Sequence, residues 1–374
     1  DLSLGFGAMF AGHLNPTVVE EIQGALTTGM LFVTPSPTST DAAEMICKRF
    51  KIDQVRFTNS GTESTMYAVR VARSASDKMG ILKVEGGYHG SYDPFVVSAK
   101  PPLDKAGDPE EPTAVMDSNL VPGDIYVVPY NNAPALEAMF EKNASKIACF
   151  IVEPVLENLA IILPDAGYLE RVRELCDEYN VILIFDEVKT GLTAGAHGAS
   201  VRLGVEPDLI TLAKSIGGGV PLAAFGGKKK YMDFVTNGKM AHFGTFNGNP
   251  LAMAGVRAID RLCSDQALAD AEALNQQALD RISEIIDEYQ LPAHTVGFGV
   301  KGCVTWSTTP VRNYRDYKAT DFGIAEAHWL FALNRGIITP PGLDEQWLIS
   351  LAHGQTEIDL LVEDFREFAK ALRA

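Results

Sequence analysis

Between Val55 and about Leu212 the chain alternates short, unbroken apolar runs with stretches of helical periodicity. The runs are Val55–Phe57, Ile81–Val84, Ile125–Val128, Ile147–Val152, Val181–Phe185 and Leu209–Leu212. Between the fourth and fifth runs, Leu169, Val172, Leu175, Cys176 and Tyr179 recur on one helical face. A strand that is apolar on both faces has to be covered on both. The pattern therefore predicts an α/β fold whose sheet is mostly parallel and lies between layers of helix. Ligands of such sheets bind beyond the carboxyl ends of the strands, so function is to be sought where each run stops.

Downstream the text changes character. A helix beginning near Asn249 leads away from the core, and Leu268–Tyr289 and Glu357–Leu372 carry helical periodicity. In the latter, Ile358, Leu361, Val362, Phe365, Ala369 and Leu372 form one core-facing stripe. Gly217–Gly227 and Gly244–Pro250 read as glycine-rich loops, and Pro101–Pro122, rich in Pro, Asp and Glu, as an exposed excursion. A length of 374 residues allows two domains. We expect 29–260 to form a large domain and 261–374 a smaller α+β domain, with 1–28 a segment associated with the smaller one. The opening at Asp1, on an apolar Leu-Ser-Leu-Gly-Phe run, suggests that a natural N-terminal segment precedes it.

Composition excludes more than it identifies. With 46% hydrophobic and 21% charged residues the chain is ordinary for a globular protein. No apolar stretch is long enough to span a bilayer, and no basic-then-apolar leader is present, so no membrane partner is expected. A formal charge of −16 repels phosphate backbones and argues against nucleic acid. The five cysteines are scattered, odd in number and without metal-ligand spacing, so no metal site is expected and a reducing, cytoplasmic location is.

Three strand ends carry chemistry. Asn59-Ser60-Gly61-Thr62-Glu63-Ser64 follows the first run and opens a helix. Free N–H groups and the helix dipole favour an anion there, although alone the segment reads better as a plain N-cap. Asp186 ends the run Val181–Phe185, where a buried acid needs a cationic or donor partner; a protonated pyridine nitrogen, Mg²⁺ or a ribose would each serve. Lys214 follows Leu209–Leu212 and precedes Gly217-Gly218-Gly219, a setting that suits a solvated lysine poorly and an amine nucleophile well. An anion cradle, a carboxylate and an amine are the three groups that pyridoxal 5′-phosphate needs for its phosphate, ring nitrogen and aldehyde.

On these motifs the chain resembles the fold-type I, class III (subgroup II) aminotransferases, the family that includes glutamate-1-semialdehyde 2,1-aminomutase. The likeness runs from Gly12-His13-Leu14-Asn15-Pro16 to Ser350-Leu351-Ala352-His353. It includes Gly87-Tyr88-His89-Gly90, Glu153-Pro154-Val155, Phe185-Asp186-Glu187-Val188, Lys214 28 residues beyond Asp186, and Gly244-Thr245-Phe246-Asn247-Gly248-Asn249-Pro250. The resemblance implies pyridoxal or pyridoxamine phosphate as cofactor, held as a Schiff base on Lys214. It implies a phosphate cup at Ser60, Gly61 and Thr62, and Tyr88 stacked on the ring with His89 beside it. Asp186 would hold the ring nitrogen, Val188 the opposite ring face, and Glu153 and Asn158 would lie near the ring and its 3′-oxygen. Thr245 would reach the phosphate of a neighbouring subunit, which makes the expected assembly a homodimer with shared active sites. Lys214, Asp186 and Tyr88 are the expected catalytic residues.

The expected reaction moves an amino group between an amine or amino acid and a keto acid or aldehyde. Intramolecular transfer by an aminomutase-like enzyme is one alternative, and a catalytically silent cofactor- or phosphate-binding protein is another. Glu157 stands where relatives tend to have Gly, Leu192-Thr193-Ala194-Gly195 replaces an aromatic-plus-arginine stretch, and Ile338-Thr339-Pro340-Pro341-Gly342 and Gln355 also depart from the mutase pattern. All but Gln355 are expected near the substrate. Arg312 and Arg335 read as surface residues rather than as a carboxylate fork.

Overall fold

The computed structural model describes residues 1–116, 123–341 and 346–373. Seven strands, β1 (Gln54–Thr58), β2 (Gly80–Val84), β3 (Ile125–Val128), β4 (Ile147–Val152), β5 (Ile182–Asp186), β6 (Leu209–Ala213) and β7 (Ala223–Gly227), form one sheet in the order β1-β7-β6-β5-β4-β2-β3. All six sequence-predicted runs are in it. The five strands from β6 to β3 are mutually parallel, and β7 runs antiparallel to β6 and β1. Every residue of β2, β4, β5, β6 and β7 is buried.

Cover comes from both sides, as the apolar pattern requires. Helix Gly61–Ser76 lies across β4 to β7, while Ala133–Asn143 and Tyr168–Glu178 pack against β3 and β5. Each fully buried Ile, Leu or Phe in these strands contributes about 1.5–3 kcal/mol relative to exposure. Phe150, Phe185 and Phe225 are among the largest side chains buried completely.

Part of the glycine-rich text is not loop. Ala223–Gly227 is a strand, and its composition has a steric cause: a Cβ on Gly226 would lie 2.4 Å from Gln54 O, and one on Gly227 2.2 Å from Asp208 O. Small residues let β7 fit between two backbones, which apolar periodicity does not reveal. The Pro101–Pro122 excursion is only partly exposed: Pro101, Ala106 and Pro112 are buried, and Arg315 donates to Ala106 O and Gly107 O at 3.1 and 3.2 Å. Residues 117–122 of that excursion, and Gly342, lie outside the described residues.

The C-terminal part adds a three-stranded antiparallel sheet of β8 (His294–Phe298), β9 (Lys301–Thr305) and β10 (Trp347–Leu348), in the order β10-β9-β8. Helices Asp265–Glu288 and Gln355–Arg373 pack on each other beside it. At the other end of the chain, Leu2 N donates to Ile338 O and Leu2 O accepts from Leu348 N, so the first residues lie along β10. Pro16–Leu26 instead packs along Pro250–Leu262. No helix among the described residues is long and apolar enough to cross a membrane.

His328, in helix Phe322–Asn334, is stacked on Phe368 at 4.8 Å and edge-on to Phe365 at 5.3 Å. Burial lowers its pKa from 6.5 to about 4, so the native ring is neutral while the unfolded one charges first. The unfolded state therefore binds more protons between these values, and His328 erodes stability as pH falls from 6.5 to about 4. Urea unfolding at pH 7 and pH 5 is expected to show a larger loss for wild type than for His328→Phe; equal losses would remove His328 from that role.

Candidate active site

Because β4, β5 and β6 are parallel neighbours, their carboxyl ends open side by side. Those ends deliver Glu153, Asp186 and Lys214 into one cavity of about 540 Å³. Gly61 and Thr62 line it from the first turn of helix Gly61–Ser76. Tyr88, His89, Asn158 and Val188, also expected at the site, line it too.

Asp186 is only 4% exposed, and its lone pairs are well used. One carboxylate oxygen accepts from Thr211 Oγ1 at 2.9 Å and from Val188 N at 3.1 Å; the other lies 2.8 Å from His89 Nδ1. Burial lowers the His89 pKa, outweighing the hydrogen bond and charge interaction with the Asp186 carboxylate. The ring is then neutral, Nδ1 carries the proton donated to Asp186, and Nε2 is a buried acceptor with no hydrogen-bond partner among the described residues.

The loop bearing Tyr88 and His89 closes directly onto the helix N-terminus. Gly90, at φ +101°, makes this possible, since a Cβ there would sit 2.4 Å from Thr62 Oγ1. Thr65 Oγ1 donates to His89 O at 2.7 Å, and Ser91 N to Thr62 Oγ1 at 3.1 Å. Gly61 serves a similar purpose: its missing Cβ leaves room for Val188, whose Cγ1 would be 3.2 Å away.

Lys214 adopts φ +50°, a left-handed conformation that costs a non-glycine residue about 1–3 kcal/mol and that clusters at functional sites. It begins a short 3-10 turn, Lys214–Gly217, which redirects the chain as β6 ends. Glu153 accepts from Tyr88 N at 3.2 Å, Glu157 N at 3.1 Å and Asn158 Nδ2 at 2.9 Å. Burial, and then the Asp186 charge, nevertheless raise its pKa to about 7.

Two expected residues do not line the cavity. Ser60 is the N-cap of its helix, its hydroxyl accepting from Glu63 N at 3.2 Å. Thr245 is exposed, on a loop anchored by Asn247, which accepts from Asn59 Nδ2 at 2.8 Å. The departures from the family pattern also divide. Glu157 is fully buried in an ion pair behind the cavity and Leu192–Ala194 is a buried turn, whereas Pro341 lines the wall. Arg312 pairs with Asp165 and Arg335 with Asp364, and no arginine lines the cavity among the described residues.

The wall also holds Gly5, Phe6, Lys100 and Lys189, which sequence reading missed. Lys189 directly follows Val188 and could have been found from that adjacency. Phe6 and Lys100 had no local signal, because distant parts of the chain bring them in.

A largely parallel sheet that gathers an amine, a carboxylate and a helix N-terminus at its carboxyl edge defines a pyridoxal-phosphate-dependent transferase of fold type I. Residues 1–325 match the family model for class III aminotransferases. The chain is 36% identical to a glutamate-1-semialdehyde 2,1-aminomutase of Methanocorpusculum labreanum, over 98% of this chain and 88% of that protein. Among solved structures, an omega-transaminase from Sphaerobacter thermophilus superposes with a TM-score of 0.95 at 30% identity, covering all of this chain and 87% of that one. A glutamate-1-semialdehyde aminomutase from Pseudomonas aeruginosa gives 0.90 at 25% identity, covering all of this chain and 83% of that one. This chain belongs to the class III aminotransferase family.

The buried carboxyl predicts a signal in the cofactor-free protein. A glutamate titrating near pH 7 is expected in carboxyl-resolved NMR or infrared difference spectra, and it should vanish in Glu153→Gln. Persistence of that titration in the variant would assign it elsewhere.

Proposed function

We propose that this chain transfers an amino group from an amine or amino acid to a separate keto acid or aldehyde, with Lys214 as the residue that carries pyridoxal phosphate. The observation that carries the reading is the convergence of Lys214, Asp186 and the helix N-terminus on one cavity. The residues present fit the cofactor. There is an amine for its aldehyde, a buried carboxylate for its ring nitrogen, and Gly61 and Thr62 at a helix N-terminus for its phosphate, with Ser60 capping that helix. When bound, its ring supplies a sink for the electron pair left as the substrate carbon loses its proton.

The protein's own groups do the rest. Lys214 would hold the cofactor through Nζ, and its freed amine would be the base that moves the proton of the substrate carbon. Asp186 would keep the ring nitrogen protonated, placing negative charge where positive charge must persist. Neutral His89 fixes the orientation of that carboxylate through Nδ1–H. Tyr88 and Val188 would bound the ring on its two faces, and Glu153 and Asn158 would lie near its 3′-oxygen; all four line the cavity. The division at 29–260 and 261–374 belongs to the same reading, supported by the two separate sheets, and Leu2 against β10 supports assigning the first residues to the smaller part. Five free cysteines, four of them buried, are compatible with a reducing cytoplasm.

The assembly in this reading is a homodimer with shared sites. Thr245 faces outward, and the same surface exposes Phe243 (81%) and Phe246 (62%); the segment at Met30, Leu31, Phe32 and Val33 is also exposed. Apolar side chains concentrated in this way mark an interface. One specific observation favours a second reading, intramolecular amino transfer: the 36% identity with curated aminomutases over almost the whole chain. The omega-transaminase likeness at 30% identity favours the first.

Borohydride reduction of the cofactor-loaded enzyme followed by peptide mapping is expected to label Lys214 alone. With an amine donor and no acceptor, pyridoxamine phosphate should accumulate. Label elsewhere sinks the lysine assignment, and isomerisation of glutamate-1-semialdehyde with no exchange from any donor gives the second reading.

Subunit mixing tests the shared site. Lys214→Ala and Thr245→Ala chains, each impaired alone, should form hybrids with one intact site and regain activity well above either parent. No regain in verified hybrids would mean that Thr245 serves its own chain.

A further inference from the structure

Behind the cavity lies a buried charge cluster that the proposed chemistry does not use. Lys301, on β9, is 3% exposed and its Nζ lies 2.6 Å from Glu157 Oε2; Glu157 is fully buried. The same Nζ donates to Lys189 O at 2.7 Å, and Lys189 Nζ donates to Glu157 O at 2.6 Å. Gln346 Nε2, in the segment leading into β10, also donates to Glu157 O. Glu157 Oε1 is buried without a hydrogen-bond partner among the described residues. Such a cluster is costly to bury and is poor evidence for stability, so its reason is to be sought in what it positions.

What it positions is the cavity wall. Lys301 grips two segments at once: the connection after β4, through the Glu157 carboxylate, and the turn after β5, through Lys189 O. Both reach the cavity within a residue or so. Glu157 N donates to Glu153 Oε2, the oxygen that also accepts from Asn158 Nδ2, and Glu153, Asn158, Val188 and Lys189 all line the wall. Neither Glu157 nor Lys301 does.

A second contact braces the same turn. Val300 N donates to Thr193 O at 3.0 Å, and Thr193 Oγ1 donates to Lys189 O at 2.6 Å. Gly299, at φ +59°, lets this contact form, since a Cβ there would lie 2.1 Å from Thr193 O. Glu157 and Thr193, both departures from the family pattern, thus meet in one network around Lys189 O.

We propose that Lys301 and Glu157 are a positioning pair, through which the C-terminal sheet sets the placement of Asn158 and Lys189 in the active site. The inference rests on the aminotransferase reading. Neither residue lines the cavity; each acts through a segment that does.

The test is the double variant Glu157→Gln/Lys301→Met, which removes both charges together and strands neither. It is expected to fold, by circular dichroism, and to bind pyridoxal phosphate more weakly in fluorescence titration of the apo-protein. The pH midpoint of its lysine-bound absorption band should move, and kcat/KM should fall by about 10²-fold, the scale for displaced positioning groups. Glu157→Asp keeps both charges but shortens one arm, and should shift the same three readouts in the same direction by less. It carries the test if the double variant does not fold. Folded variants with wild-type affinity, band midpoint and kcat/KM would overturn the proposal. A wild-type enzyme with no lysine-bound band and no amino transfer would instead defeat the underlying reading.

Discussion

Strands β4, β5 and β6 are apolar almost from end to end, and the architecture follows from having to dry both their faces. Helices must lie above and below, the strands must run parallel to receive them, and their carboxyl ends must therefore open together. In these three strands charged groups appear only where the apolar run stops. Glu153, Asp186 and Lys214 stand at those stops, which is why residues 61 positions apart in the chain share one cavity.

Charge at the edge of so dry a layer has to be answered locally, and the answers differ. Asp186 is ringed by donors from Thr211, Val188 and His89. Glu153 has three donors of its own, yet its burial and the nearby Asp186 still push its pKa to about 7. Two carboxyls in one cavity are thus held differently, one supplied with a fixed donor set and one poised to be neutral below neutrality. The left-handed backbone at Lys214 belongs with this arrangement, since such strain persists only where surrounding structure enforces it.

The smaller sheet extends the same logic. Its strand β9 brings Lys301 to a carboxylate that would otherwise be buried alone, and its tight turn at Gly299 rests on Thr193. The cavity wall is consequently held from two sheets rather than one.

The sequence alone determined the parallel sheet, the identity of the strand ends and nine of the residues that line the cavity. These depend on local runs and short motifs, and a run of four to six apolar residues states its own burial. It misread Ala223–Gly227, because a strand chosen for small size carries no hydrophobic period. It also placed Glu157 near the substrate. Only the tertiary structure decided that Glu157 pairs with Lys301, that Phe6 and Lys100 line the cavity, and that Thr245 is exposed and outside it. Each of those facts is a contact, or the lack of one, between segments far apart in the chain. Nothing in the local text encodes it, since the partner is chosen by how the layers pack.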